Sequence, residues 1–386
     1  LLLAGGGKYW TLPMMKQILP LLSALLLAPL TAQVTAPPPL PDATKAKLQA
    51  TLSRHLNLLL ANRGTAARMK GKTAAGNSAL AFYLMFEATG EQRFRKAAVE
   101  LADQILQDMR ATKHGVLPIK EKDKPGGETI VGGGPPALGS YASNAAYILH
   151  KEAGRQEDLR YIAAVLDRYP WNEDGWWAST IDVTTGESKL PLSKPGIINK
   201  SAAMAMAAGI LSRYVRDIDA GLSERLKQKA DKCVYDQILP SQLADGFWHY
   251  SFTGRDPKDK DVLGYFLLTT KELMTLQRFN PAYRDARLTA AVRKAQSFAL
   301  NAIAPMTDPN PGASTSVHAT KGTPTHYSIK TDLKRSFQLG FVLLGGGHSG
   351  EGGKILSAAI GSFPYGNAGQ DGAHSAEPLA LLLTGN

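Results

Sequence analysis

From residue 45 onward, stretches of helical periodicity alternate between two characters, and this alternation limits the fold more than any motif does. One set is apolar nearly all round: about 78–89, 139–153, 200–214, 262–277, 333–345 and 374–384. The other carries a single apolar stripe opposite charged residues: about 91–110, 155–169, 221–238, 282–303 and 351–360, with Phe94, Ala98, Leu101 and Ile105 a clear example. A helix that is apolar all round must be enclosed by neighbours, whereas a striped one shows water its polar face. Each apolar stretch with the amphipathic one after it therefore reads as an inner–outer hairpin. The first helix, about 45–61 with Leu48, Leu52, Leu56 and Leu59 on one face, has no apolar partner before it, and the last apolar stretch has no amphipathic partner after it. Pairing these two would close the row into a ring. The expectation is an all-α chain forming an (α/α)6 toroid of about six helical hairpins, with long loops at one mouth. An open solenoid of the same hairpins is the alternative.

Within this alternation one loop occurs twice. Asp174-Gly175-Trp176-Trp177-Ala178-Ser179-Thr180 returns 71 residues later as Asp245-Gly246-Phe247-Trp248-His249-Tyr250-Ser251, a shared D-G-[WF]-W-x-x-[ST] pattern. Both copies follow an amphipathic stretch and precede an apolar one, the mark of a repeat architecture. Gly permits a sharp turn and the aromatics can wall a concave surface.

With this loop and the hairpin order in hand, residues 45–386 resemble the six-hairpin (α/α) toroid superfamily of carbohydrate-active enzymes, which includes glycoside hydrolases and polysaccharide lyases. The resemblance lies in the architecture and implies a poly- or oligosaccharide partner. Terpene cyclases use related toroids, so the fold alone does not give a function.

Composition narrows the classes. Hydrophobic residues at 44% and charged residues at 20% suit an ordinary globular chain, neither disordered nor a multi-span membrane protein. The net charge of +11 favours anionic partners, an acidic glycan among them, although the basic residues are scattered rather than blocked. Cys233 is the only cysteine, which excludes an intrachain disulfide and a cysteine-based zinc site; its place at apolar spacing reads as a buried thiol. No cofactor motif, paired-His metal pattern or nucleic-acid motif is present, and Gly345–Gly350 lacks the spacing of a phosphate loop and reads as a hairpin turn. At the other end, residues 1–13 read as an upstream extension. Met14-Met15-Lys16, the apolar run Ile18–Leu30 and a small-residue region near Ala32–Ala36 read as a signal peptide, too short and broken by Pro20 and Pro29 for a stable membrane span. The expected order is extension and signal peptide over 1–36, a Pro-rich linker over 37–44, and one toroid domain over 45–386. The expected localisation is export, periplasmic or secreted.

The candidate chemistry falls in the long loops. Trp171, Trp176, Trp177 and Trp248 could stack on sugar rings. Trp177 and Trp248, which share the repeated position, could equally pin their loops by packing. Asp174 and Asp245 are candidates for the two carboxyl groups that glycoside hydrolysis needs, or for turn residues that bond their own backbone. An elimination would instead use His249 and Tyr250 as base and acid. Arg255, Asn199 or Lys200 could then neutralise a uronate carboxylate, and His326-Tyr327 repeats the His-Tyr pair. A non-catalytic secreted toroid that binds glycan or protein is the alternative function.

Overall fold

The computed structural model describes residues 40–61, 73–117, 119–120, 131–133, 135–189, 191–192, 196–251, 263–304, 307–308, 327–328, 333–368 and 370–384. The 14–36 segment and Pro37–Pro39 lie outside them. Residues 37–386 form one compact unit, and no described helix is long and apolar enough to cross a membrane.

Six helices form an inner layer: α2 (Thr73–Thr89), α4 (Pro135–Lys151), α6 (Ile198–Tyr214), α8 (Leu263–Phe279), α10 (Leu333–Gly345) and α12 (Gln370–Leu383). Around them lie α1 (Asp42–Ala61), α3 (Gln92–Arg110), α5 (Gln156–Arg168), α7 (Ala220–Asp231), α9 (Ala286–Phe298) and α11 (Ser349–Ile360). Each inner helix packs against the next, α2–α4–α6–α8–α10–α12, and α12 packs back on α2. The ring is closed, and the chain is an (α/α)6 toroid. The unpaired first helix has the role its apolar face demands, since α1 lies against both α12 and α2.

The outer helices obey their stripes. In α3, Phe94, Ala98, Leu101 and Ile105 are all buried, and removing a ring the size of Phe94 from water contributes roughly 2–3 kcal/mol. Aspartates start two of them: Asp219 Oδ1 accepts from Leu222 N at 2.9 Å at α7, and Asp285 Oδ1 accepts from Arg287 N and Leu288 N at 2.9 and 3.2 Å at α9. Both α7 and α9 widen at their C-terminal ends into a π-helical turn, Lys232–Ile238 and Ala299–Ile303, a feature sequence periodicity does not reveal. Cys233 falls in the first of these and is fully buried, its thiol pushed up by burial.

Inner helices approach closely where side chains are small. A Cβ on Gly139 would lie 2.5 Å from the carbonyl oxygen of Ala203, so α4 and α6 can touch backbone to backbone only with Gly there. Short turns lead from inner to outer helices, while the long connections run from outer to inner. All the long connections therefore reach the ring at the N-terminal ends of the inner helices, which define its mouth. Towards the other end the axis is filled: the ring of Tyr147 on α4 meets that of Phe279 on α8 at 4.6 Å, across the intervening α6.

Candidate active site

The two copies of the repeated loop share one turn and one cross-strand pairing. Gly175 N donates to Asn172 O at 2.9 Å and Gly246 N to Leu243 O at 3.0 Å. The two glycines sit at φ 117° and 102°, in the left-handed region that side chains avoid. Trp177 pairs across its hairpin with Trp171, and Trp248 with Gln242. The aromatic at the repeated position turns inward in each copy. Trp177 is 2% exposed and meets Trp171 edge-on at 4.4 Å. Trp248 is 1% exposed and its indole N–H donates to Ile238 O, in the π-helical turn after α7, at 3.0 Å. Neither ring leaves a face open in this arrangement. Trp176 is buried as well, its indole N–H on Leu192 O at 3.2 Å, while Trp171 is half-buried.

The carboxylates of these turns stand outside. Asp174 is exposed, its own carbonyl accepting from Gln237 Nε2 and its N–H donating to Asn172 Oδ1 at 2.6 Å. Asp245, also exposed, accepts Phe247 N at 3.0 Å, so its carboxylate closes its own turn.

The mouth loops are laced together. The strand Val131–Gly133 pairs antiparallel with both Ile119–Lys120 and Ile181–Asp182. The connections after α5 and α7 join where Ile197 bridges Ser251 and Ile198 N donates to Tyr250 O at 3.0 Å. The two tryptophan-bearing connections therefore share one end and touch. His249 lies edge-on to Phe247 at 6.0 Å, and Tyr250 packs at 4.7 Å on Tyr265, an exposed ring in the first turn of α8. Lys200 reaches Ser179 O at 3.1 Å. Asn199 is buried with an unpartnered Oδ1. Tyr327 contributes backbone pairing to Thr307. Arg255 and His326 lie outside the described residues.

The structure differs most from the sequence reading inside the ring. The inner helices, read as apolar all round, carry a polar face toward the axis. On α8, Lys271 Nζ lies 3.0 and 2.9 Å from the two oxygens of Glu377 on α12 and 3.3 Å from Glu272. The three residues are 2–3% exposed, and α8 and α12 are separated around the ring by α10, so the pair reaches past that helix. Burial pushes the Glu272 carboxyl up and Glu377 adds to it, against the pull of Lys271. Burial works against the Lys271 charge, but Glu272 and Glu377 outweigh it and hold the ammonium above its usual range. Glu272 Oε2 and, on α10, Gln338 Oε1 are buried without a partner. Nearer the mouth, Asn77 on α2 receives Ser140 and Asn144 from α4 and faces His374 on α12. Among the described residues no group of His, Cys, Asp and Glu is arranged to hold a metal ion.

A closed double ring of helices, with its long loops paired together over one mouth, defines the (α/α)6 toroid class. No protein-family model matches the chain, and no curated protein sequence matches it. Solved structures do. Cellobiose 2-epimerase from Bacillus thermoamylovorans superposes with a TM-score of 0.54 at 13% identity, over 75% of this chain and 74% of the other. A reducing-end-xylose releasing exo-oligoxylanase gives 0.52 at 10%, over 83% of each chain, and a polysaccharide lyase gives 0.52 at 10%, over 88% of this chain and 96% of the other. At these identities the likeness is one of fold.

Proposed function

We propose that this chain is a carbohydrate-active enzyme that receives a poly- or oligosaccharide at the mouth of the ring and cleaves it by hydrolysis or elimination. The observation that carries this reading is the axis below the mouth. Asn77, Ser140, Asn144 and His374, with Lys271 and Glu377 deeper, are hydrogen-bonding groups of the kind that a polyhydroxylated ligand requires. Toroids of similar fold bear names of enzymes acting on carbohydrates, cellobiose 2-epimerase and the exo-oligoxylanase among them, which supports the substrate class. At the rim, His249, Tyr250, Lys200 and the Tyr250–Tyr265 pair would meet the chain of the substrate, and the net charge of +11 favours an acidic one. Export through the 14–36 segment belongs to the same reading, and N-terminal sequencing of the mature protein near Gln33 or Pro37 tests it.

The decisive experiment is a panel of neutral and uronate-containing polysaccharides assayed for new reducing ends and for the ultraviolet absorbance of unsaturated uronates. Reducing ends alone mean hydrolysis, and both signals together mean elimination. No product from any member overturns the enzymatic reading. One observation favours a second reading, a non-catalytic glycan-binding toroid: Asp245 uses its carboxylate on its own turn, so the repeated aspartates do not present a matched pair of free carboxyl groups. That reading expects binding without product.

A further inference from the structure

The hydrogen bonds around Asn77 determine what His374 can do. Asn77 Oδ1 accepts twice from α4, from Ser140 Oγ at 2.5 Å and from Asn144 Nδ2 at 3.2 Å. With its oxygen engaged there, the amide turns its NH2 to His374, and Asn77 Nδ2 lies 3.0 Å from His374 Nδ1. An amide NH2 only donates, so Nδ1 must accept, and the single proton of an uncharged imidazole is left on Nε2. Burial foremost, with Lys334 and Lys271 adding to it, holds the ring's pKa well below its ordinary value, so it stays uncharged. Nε2 has no hydrogen-bond partner among the described residues. His374 retains 8% exposure. His374 stands in the first turns of α12, whose N-terminal end faces the mouth.

We propose that His374 holds an Nε2–H for an oxygen of the bound saccharide, and that Asn77 is the positioning residue that decides which nitrogen carries the proton. This deepens the carbohydrate reading and rests on it. The imidazole is then a hydrogen-bond donor to a sugar hydroxyl, carbonyl or carboxylate oxygen. It cannot serve as a general base, because Nδ1 is occupied by Asn77 and Nε2 already bears its proton.

The test is nitrogen-15 NMR of the full chain labelled at histidine. The expected spectrum shows His374 uncharged and protonated on Nε2 at pH 7. Asn77→Asp supplies an acceptor at Nδ1, so it should move the proton to that nitrogen and raise the pKa of the ring, a response that a purely structural asparagine would not produce. A wild-type spectrum with the proton on Nδ1, or an imidazolium at pH 7, overturns the inference without recourse to any variant. Cellobiose and a glucuronate-containing disaccharide are then titrated in, and one of them should shift the His374 Nε2–H signal. His374→Phe should weaken that binding about tenfold, the worth of one hydrogen bond. If saccharide shifts the rim signal of His249 but leaves His374 unmoved, the inference falls while the carbohydrate reading stands. If the tautomer is as stated but no saccharide perturbs any residue, the carbohydrate reading falls and takes the ligand half of the inference with it.

Discussion

Replacing Lys271 by methionine removes the one cation between two buried carboxyl groups while keeping the volume of the side chain. In the wild type, Glu377 receives Nζ on both oxygens at 3.0 and 2.9 Å and is 3% exposed, so it has no route to solvent. Its charge must then stay uncompensated or take up a proton, and breaking a buried pair in this way costs about 3–5 kcal/mol. For a domain of this size 1 kcal/mol corresponds to about 1.4 °C, so the midpoint of thermal unfolding should fall by about 4–7 °C at pH 7. Adding Glu377→Gln to Lys271→Met removes the stranded charge, and since Glu272 is already pushed toward its protonated form, the double variant should recover most of the loss. The assay is calorimetric or circular-dichroism unfolding of the single and double variants at pH 7. A single variant within about 1 kcal/mol of wild type, or a double variant no better than the single, would refute the reasoning.

Four further expectations follow from the structure. Glu272 is an acid whose folded pKa is raised, so its contribution is complete below the ordinary glutamate range and lost as pH rises through the raised value; Glu272→Gln should flatten that alkaline side of the stability profile measured by urea unfolding. His55, buried on α1, is pushed by desolvation down to about 4 against the upward pull of a backbone bond to Pro364, so its contribution is present above the ordinary histidine value and lost as pH falls from 6.5 toward 4; His55→Phe should abolish one proton's worth of that acid-side slope. Gly246→Ala forces a Cβ to within 2.3 Å of Lys294 O at φ 102° and should cost at least about 1–3 kcal/mol in unfolding assays. Gly353→Ala, where a Cβ meets nothing within 4 Å in the middle of α11, should be neutral or slightly stabilising.

The ring was legible because burial on every side leaves a plain signature. A stretch such as 200–214 reads as apolar nearly all round, and the amphipathic partners show one polar face each, so the order of layers could be read directly. Closure was legible from the two unpartnered ends. The axis was not. Lys271 and Glu272 sit inside a run of apolar residues, and Glu377 lies in another, where periodicity assigns a charge to whichever face is left over. A charged residue within a helix that has no solvent face was the available signal, since such residues are almost never buried alone. Only the ring's geometry tells which residues of non-neighbouring helices meet, as Lys271 and Glu377 do across α10. The repeated tryptophans drew attention to two loops at the mouth, yet burial of Trp177 and Trp248 depends on where the preceding outer helix ends, and the π-helical turn that places Ile238 under Trp248 has no counterpart in residue pattern.

Closure of the ring also has a consequence for how the protein is made. The bond between Asn77 and His374 spans 297 positions, and that between His55 and Gly366 spans 311. Synthesis from the N-terminus exposes the apolar flank of α2 long before α12 leaves the ribosome, and contacts so distant in sequence form slowly. Nascent chains lacking the last hairpin would show a gap where α12 belongs, a seam for chaperones or for a neighbouring copy's helix, and the polar machinery of the axis would assemble only when the final segment arrives.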